Sequence, residues 1–272
     1  SRGLGDVYKR QQKYEYIKLR SIRMLSKIEL KLNHSEEIVY QMSSLFHGAL
    51  MEMLPEEYAE YLHVSQLHPY TQHLEFRNGA WFWVVCCLNK KAAKIIIYDT
   101  LMGIESIFIK NRKLEIRIVE KSYSELPYKS LMDSFYDDEC SRYINIHFIS
   151  PTAFKKDGRY IFYPDIRCIF QSLMNKYDAA VSDEVMADED TLEQLCENAR
   201  ITGYDLKSVN FSLEGVRIPS FIGKLTIKMH GTSTMVNFAN MLFRFGTYSG
   251  IGIKTSLGMG SFKILKDEGR KR

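Results

Sequence analysis

Four of the sixteen glycines fall in one short stretch near the end of this 272-residue chain: Gly250-Ile251-Gly252 and Gly258-Met259-Gly260 flank Lys254, Thr255 and Ser256. Paired G-x-G units let successive backbone N–H groups face one concavity, a nest suited to phosphate oxygens, while the lysine and two hydroxyls add a cation and donors. Phosphate is therefore the expected guest. The nucleotide-triphosphate loop G-x-x-x-x-G-K-[ST] does not fit, because Lys254-Thr255 follows Gly252 by an extra residue.

This stretch contains no group able to move a proton at neutral pH, which histidine does best. His47, in "SSLFHGALMEML", lies about 100° round a helix from Phe46, at the margin of the apolar stripe. A packed histidine and a partly exposed acid or base are both compatible with that position. Ser43, one turn earlier, is its expected hydrogen-bond neighbour. Tyr40, seven residues earlier, would stand about 10 Å away along the axis. His63 and His68 bracket a loop-like stretch and could supply a second imidazole; His34, His73, His147 and His230 read as strand-end or surface residues. No H-E-x-x-H or Cys/His spacing suggests a metal, and no cofactor is expected. The odd set Cys86, Cys87, Cys140, Cys168 and Cys196 reads as reduced thiols rather than a disulfide framework.

Charge is uneven. The net +4 arises from residues 1–23, which hold seven basic residues against Asp6 and Glu15 and leave the remainder at −1. That segment is expected to be a non-native or disordered leader ahead of Met24. From Arg217 to Arg272 ten basic residues face only Asp267 and Glu268, including the basic tail 267–272, whereas Asp183 to Glu197 holds seven acids and no base. An anionic polymer would bind the former face and avoid the latter. With 45% apolar residues and no long uncharged apolar run, a soluble, cytoplasmic chain of one large or two smaller domains is expected.

The elements needed to position these groups follow from periodicity. "MLSKIELKL" alternates as a strand; Val39, Met42, Phe46, Ala49, Leu50 and Met53 mark a helix over about 37–54. Then "HLEFR" and "AWFWVVCCL" flank an Asn78-Gly79 turn, and "NKKAAKIIIYDTL" predicts a second helix before two edge strands joined at Asn111-Arg112. The order is β-α-β-β-α-β. It recurs after a Ser-, Tyr- and Asp-rich linker over about 122–141, as "RYINIHFIS", a helix near 166–177, an acidic helical insert, a long hairpin over 204–229, a helix near 235–245 and "SFKIL". The expected fold is α+β, two tandem ferredoxin-like (RRM-like, βαββαβ) domains over 24–125 and 140–266.

The spacing Gly250-x-Gly252, five residues, Gly258-x-Gly260, with Ile251 and Met259 apolar, resembles the C-terminal signature of the CRISPR repeat-processing endoribonucleases, the sixth Cas protein family of the RAMP superfamily. "SSLFHGALMEML" is similar to that family's first-helix motif and "LHVSQLHPYTQHL" to the segment after it. The resemblance implies a metal-independent endoribonuclease acting on CRISPR precursor RNA, in which the 2′-hydroxyl attacks the adjacent phosphate and leaves a 2′,3′-cyclic phosphate and a 5′-hydroxyl. It makes His47 the general acid or base, lets Tyr40 orient substrate, and assigns RNA binding to Gly250, Gly252, Lys254, Thr255, Ser256, Gly258 and Gly260. The charge-stabilising residue stays open, with Lys254 or another C-terminal base as candidates. Partners implied are repeat RNA and other Cas proteins of an interference complex, and a homodimer is compatible. The competing classes are a non-catalytic RAMP-type RNA-binding subunit and a protein-interaction module.

Overall fold

Period-two alternation makes strand β1 (Met24–Asn33), which buries Ile28, Leu30 and Leu32 and turns Lys27, Glu29 and Lys31 outward. It stands at the centre of the first sheet, antiparallel to both β3 (Ala80–Cys87) and β5 (Leu114–Pro127). The computed structural model describes residues 24–33, 38–65, 67–136, 140–181, 188–213 and 215–266. The leader 1–23, the basic tail 267–272 and Asp183 and Glu184 of the acidic run lie outside the described residues. Among the described residues no helix is long and apolar enough to cross a membrane.

After β1 the chain makes a 3-10 turn (Tyr40–Met42) and helix α1 (Ser43–Met53). The helix thus begins later than the apolar spacing suggests, because the Ser43 hydroxyl donates to the Tyr40 carbonyl and holds the turn tight. Helix α2 (Glu56–Val64), which periodicity did not anticipate, follows Pro55. Strand β2 (Tyr70–Arg77) pairs with β3 through the expected Asn78-Gly79 turn, where both residues have positive φ. A helix α3 then begins as an α-turn (Lys90–Ala92), continues as a π-helix (Ala93–Leu101) and leads to β4 (Ser106–Ile109). The sheet order is β2-β3-β1-β5-β4.

The expected linker is instead the end of β5 and a helix α4 (Tyr128–Tyr136). Its polar residues conceal a stripe, Tyr128, Leu131, Met132 and Phe135, that packs on the second core, with the Tyr128 ring 6.4 Å from Phe245. The second half contains β6 (Tyr143–Thr152), the small hairpin β7 (Phe154–Lys156) and β8 (Arg159–Ile161), α5 (Ile166–Val181), α6 (Glu189–Asn198), β9 (Ala199–Leu213), β10 (Val216–Met229), α7 (Ser233–Ser249) and β11 (Phe262–Ile264). Its main sheet runs β11-β6-β10-β9. Once the edge strand β4 is set aside, both sheets share the strand order of the ferredoxin-like fold, as expected. Two main cores result, one around Phe46, Trp83 and Ile96 and the other around Phe148, Phe170 and Phe245, with a small third cluster around Phe211 and Met259.

Strand β2 joins the halves. Although it is an edge strand of its own sheet, every residue from Tyr70 to Glu75 is buried. Tyr70 and Gln72 meet α1 and its neighbours, while the Thr71 hydroxyl donates to the Tyr248 carbonyl at 2.7 Å and Glu75 pairs with Lys263 on β11. An unpaired edge is thereby covered. The glycine-rich loop sits against the same seam: a Cβ built on Gly258 (φ +107) would lie 2.1 Å from the Ser43 Cβ.

Gly258→Ala should therefore cost about 2–4 kcal/mol, from left-handed strain plus overpacking. Gly158→Ala, also at positive φ but with nothing within 4 Å, should cost only about 1 kcal/mol. Urea unfolding of the two variants measures the difference, and equal losses would contradict a close helix–loop contact.

Candidate active site

Helix α1 buries Phe46, Ala49 and Leu50 and leaves His47 half-buried at the edge of that face, with Gly48 exposed beside it. The Tyr70 hydroxyl, at the start of β2, lies 2.8 Å from His47 Nδ1, and the Tyr70 ring is fully buried. His68 completes a group of nearly parallel rings, its centroid 6.4 Å from His47 and 5.7 Å from Tyr70. Burial, together with the imidazoles of His68 and His63, lowers the His47 pKa to about 4 against the opposing effect of a hydrogen bond to the Ser256 backbone. Burial likewise lowers His68, against a hydrogen bond to the Leu62 backbone. Burial also raises the Tyr70 pKa, so its hydroxyl stays protonated. His47 is thus a neutral imidazole at pH 7, held by a neutral phenol.

Ser256 belongs to a 3-10 turn (Thr255–Leu257) of the glycine-rich loop, so the loop touches the helix that carries the histidine. The Gln72 side chain fixes this contact: its Nε2 donates to the carbonyls of Ser43 at 2.9 Å and Ser256 at 3.0 Å, and its Oε1 accepts from Trp83 Nε1 at 2.9 Å. From the other side, the buried Lys176 of α5 places Nζ 3.3, 3.1 and 3.0 Å from the carbonyls of Ser249, Gly250 and Gly252. Burial lowers the Lys176 pKa to about 7, while carbonyl acceptors favour the ammonium.

The loop glycines serve close backbone approach. Gly252 would bring a Cβ within 2.3 Å of the Ala153 carbonyl oxygen, and Gly260 within 2.0 Å of the Ile251 carbonyl oxygen. Several N–H groups expected to form an open nest already have protein acceptors: Ile251 N donates to Gly260 O, Gly252 N to Ser172 Oγ, Ile253 N to Ala153 O and Gly260 N to Pro151 O. Thr255 packs its methyl near Gly250 and Gly260, Ser256 is buried, and Lys254, left-handed at φ +55, is exposed.

His47 and Ser256 are therefore brought together across the seam. Tyr40 is not at His47: it lines a cleft of about 450 Å³ between the two sheets, with Glu75, Trp81, Lys207 and Lys263. The Ser43 hydroxyl donates to Tyr40 O and accepts from Leu74 N, so it is not the partner of His47. Tyr70 takes that place, and sequence reasoning missed it along with Gln72 and Lys176. The available signal was the alternation Tyr70-x-Gln72-x-Leu74, which aims three side chains at α1 if the strand begins at Tyr70 rather than His73.

Residues 146–262 match the family model described as CRISPR-associated endoribonuclease Cas6. A Streptococcus thermophilus CRISPR-associated endoribonuclease Cas6 is 40% identical over 220 residues, covering 80% of this chain and 89% of the relative. The chain belongs to the Cas6 family. A Mycobacterium tuberculosis Cas6 endoribonuclease is 30% identical over 220 residues, 80% of this chain and 70% of that one. Among solved structures, a Cas6 product complex superposes with a TM-score of 0.74 at 22% identity, over 89% of this chain and 99% of its own. A Thermus thermophilus Cas6 gives 0.69 at 20% identity over the same shares. These structural likenesses establish the shared Cas6 fold, two ferredoxin-like units in tandem.

Within that fold the titration of His47 has a definite sign. Its folded pKa lies below the ordinary 6.5, so between about pH 6.5 and 4 the unfolded chain binds more protons and stability falls as pH is lowered. NMR titration of the free protein should give a His47 pKa near 4, and bound RNA should raise it, because adjacent phosphate favours imidazolium. A His47 that titrates at 6.5 or above in the free protein would contradict the buried geometry.

Proposed function

We propose that this chain cleaves CRISPR precursor RNA within its repeats, by a metal-independent transesterification that uses His47. The observation that carries the reading is the neutral imidazole of His47, held by Tyr70 and facing a cavity of about 310 Å³ formed by α1, the end of β4 and residues of the second half. Related Cas6 proteins are described as endoribonucleases, and solved relatives include a product complex and a substrate mimic complex.

The 2′-oxygen forms a bond to phosphorus while the bond from phosphorus to the 5′-oxygen breaks. One proton leaves the 2′-hydroxyl and one reaches the departing 5′-oxygen, so a 2′,3′-cyclic phosphate and a 5′-hydroxyl result with no change of oxidation state. His47 transfers one of these protons as general acid or base. Tyr70 fixes the ring's orientation, and the contact with Ser256 places it beside the glycine-rich loop. Lys254 offers the exposed charge that meets the RNA backbone, and Thr255 and Ser256 with Gly250, Gly252, Gly258 and Gly260 hold the shape of the loop that presents it. Tyr40, in the neighbouring cleft, acts on substrate orientation there.

The test incubates the protein with a CRISPR repeat RNA in EDTA, beside an RNA with 2′-deoxyribose at the scissile nucleotide and a His47→Ala variant. Wild type should cut only the all-ribose RNA and yield a cyclic phosphate end, and His47→Ala should bind but cut about 10²–10⁴-fold more slowly. Binding without cutting by wild type would defeat the enzyme reading and favour a non-catalytic subunit. Cutting that survives in His47→Ala would remove the catalytic assignment alone.

A further inference from the structure

The cavity in front of His47 contains one more group that the proton transfers do not use. Its α1 wall presents Ser44, Gly48 and Glu52 at one-turn intervals beside His47, and its opposite wall is the end of β4 with the 3-10 turn Lys110–Arg112. Leu213, at the end of β9, and Leu257 close it from the second half. Among the described residues lining this cavity Lys110 is the only lysine or arginine and Glu52 the only carboxylate. The two pair at 3.1 Å, with Lys110 64% and Glu52 45% exposed.

We propose that Lys110 is the catalytic cation of this site and leaves Glu52 to meet the scissile phosphate. The assignment rests on the ribonuclease reading given above. An exposed ion pair of this kind adds little to stability, so exchanging one anionic partner for another is inexpensive. The backbone beneath it is fixed: Ile109 is 2% exposed, and Lys113, left-handed at φ +49, donates its N–H to the Lys110 carbonyl to close the turn. The ammonium therefore moves from a rigid base within the cavity that His47 also lines.

The chemistry requires such a group. As the 2′-oxygen adds to phosphorus, negative charge grows on the non-bridging oxygens, and a cation that binds them more strongly then than in the ground state lowers the barrier. His47 does not serve, since it is neutral and engaged in proton transfer. Lys254, the other cation considered for this role, stands exposed on the glycine-rich loop and does not line the cavity. It suits a flanking phosphate, which contributes to affinity and not to the chemical step.

The experiment measures single-turnover cleavage at saturating repeat RNA, and separately the affinity for the 2′-deoxy RNA, for wild type, Lys110→Ala, Lys110→Arg and Lys254→Ala. Lys110→Ala should cut about 100-fold more slowly or worse, with a Kd for the 2′-deoxy RNA within about threefold of wild type. That unchanged Kd also reports an intact fold. Lys110→Arg should recover most of the rate, and Lys254→Ala should weaken binding. A Lys110→Ala rate within about threefold of wild type, or a loss that appears only in Kd, overturns the proposal. Should wild type itself bind without cutting, the ribonuclease reading fails; should wild type and Lys110→Ala cut equally, only the role of Lys110 fails.

Discussion

The arrangement at the site depends on one buried amide. Gln72 is fully buried on an edge strand, and its donors and its acceptor are both engaged: two backbone carbonyls from distant parts of the chain and the indole N–H of Trp83. A buried amide is costly when half-satisfied and specific when fully satisfied, because no other side chain of its size supplies two donors and an acceptor in one plane. Here the donors reach Ser43, at the start of the helix bearing His47, and Ser256, in the glycine-rich loop. Without Gln72 two carbonyls and an indole N–H would lose a buried partner, at about 1–3 kcal/mol each. The same loss would free the helix from the loop. Stability and the geometry around His47 therefore have a common origin.

The glycines belong to this constraint. Their spacing suggests an open cradle of N–H groups, yet several of those groups bond to the protein, and a Cβ is excluded because it would lie 2.0–2.3 Å from a backbone carbonyl at Gly252 and Gly260 and 2.1 Å from the Ser43 side chain at Gly258. Gly258 admits Ser43, Gly252 admits Ala153, and Gly260 admits Ile251. The loop is a packed plug between two domains whose exposed rim presents Lys254. Lys176 closes the underside by giving its ammonium to three carbonyls near the end of α7, where the helix dipole also favours positive charge. A loop built this way is held in one shape by the protein itself.

Most of the fold was legible because alternating strands and striped helices repeat a familiar order, as in "MLSKIELKL" against "SSLFHGALMEML". What escaped was short or masked. Helix α4 hides its apolar stripe among Lys129, Ser130, Asp133 and Ser134, and the β7–β8 hairpin has strands of three residues, too short to show a period. At the site, His47 was legible as a boundary position on an amphipathic helix. Its partner Tyr70 was not, because the contact depends on where β2 starts and on how the strand lies under α1, neither of which is written locally. Tyr40, close in sequence and of the right chemical type, faces another cleft, since a 3-10 turn rather than a continuous helix carries it. Proximity in the chain was the weaker guide, and register within the sheet was the stronger.

That non-local character has a consequence for how the site comes into being. The hydrogen bond from Gln72 to Ser256 spans 184 residues, and Ser43 meets Gly258 across a comparable separation. Contacts this distant in sequence form after local hairpins and helices, because the chain entropy of closing such loops is lost before any packing rewards it. Each ferredoxin-like half contains its own core, so each can collapse first. The surroundings of His47 exist in neither half alone, since their low-dielectric wall includes Leu257 and Ser256 from one and Tyr70 from the other. The depressed pKa of His47 is accordingly a property of the docked pair, and a chain with both halves folded but undocked would leave that imidazole closer to its ordinary value.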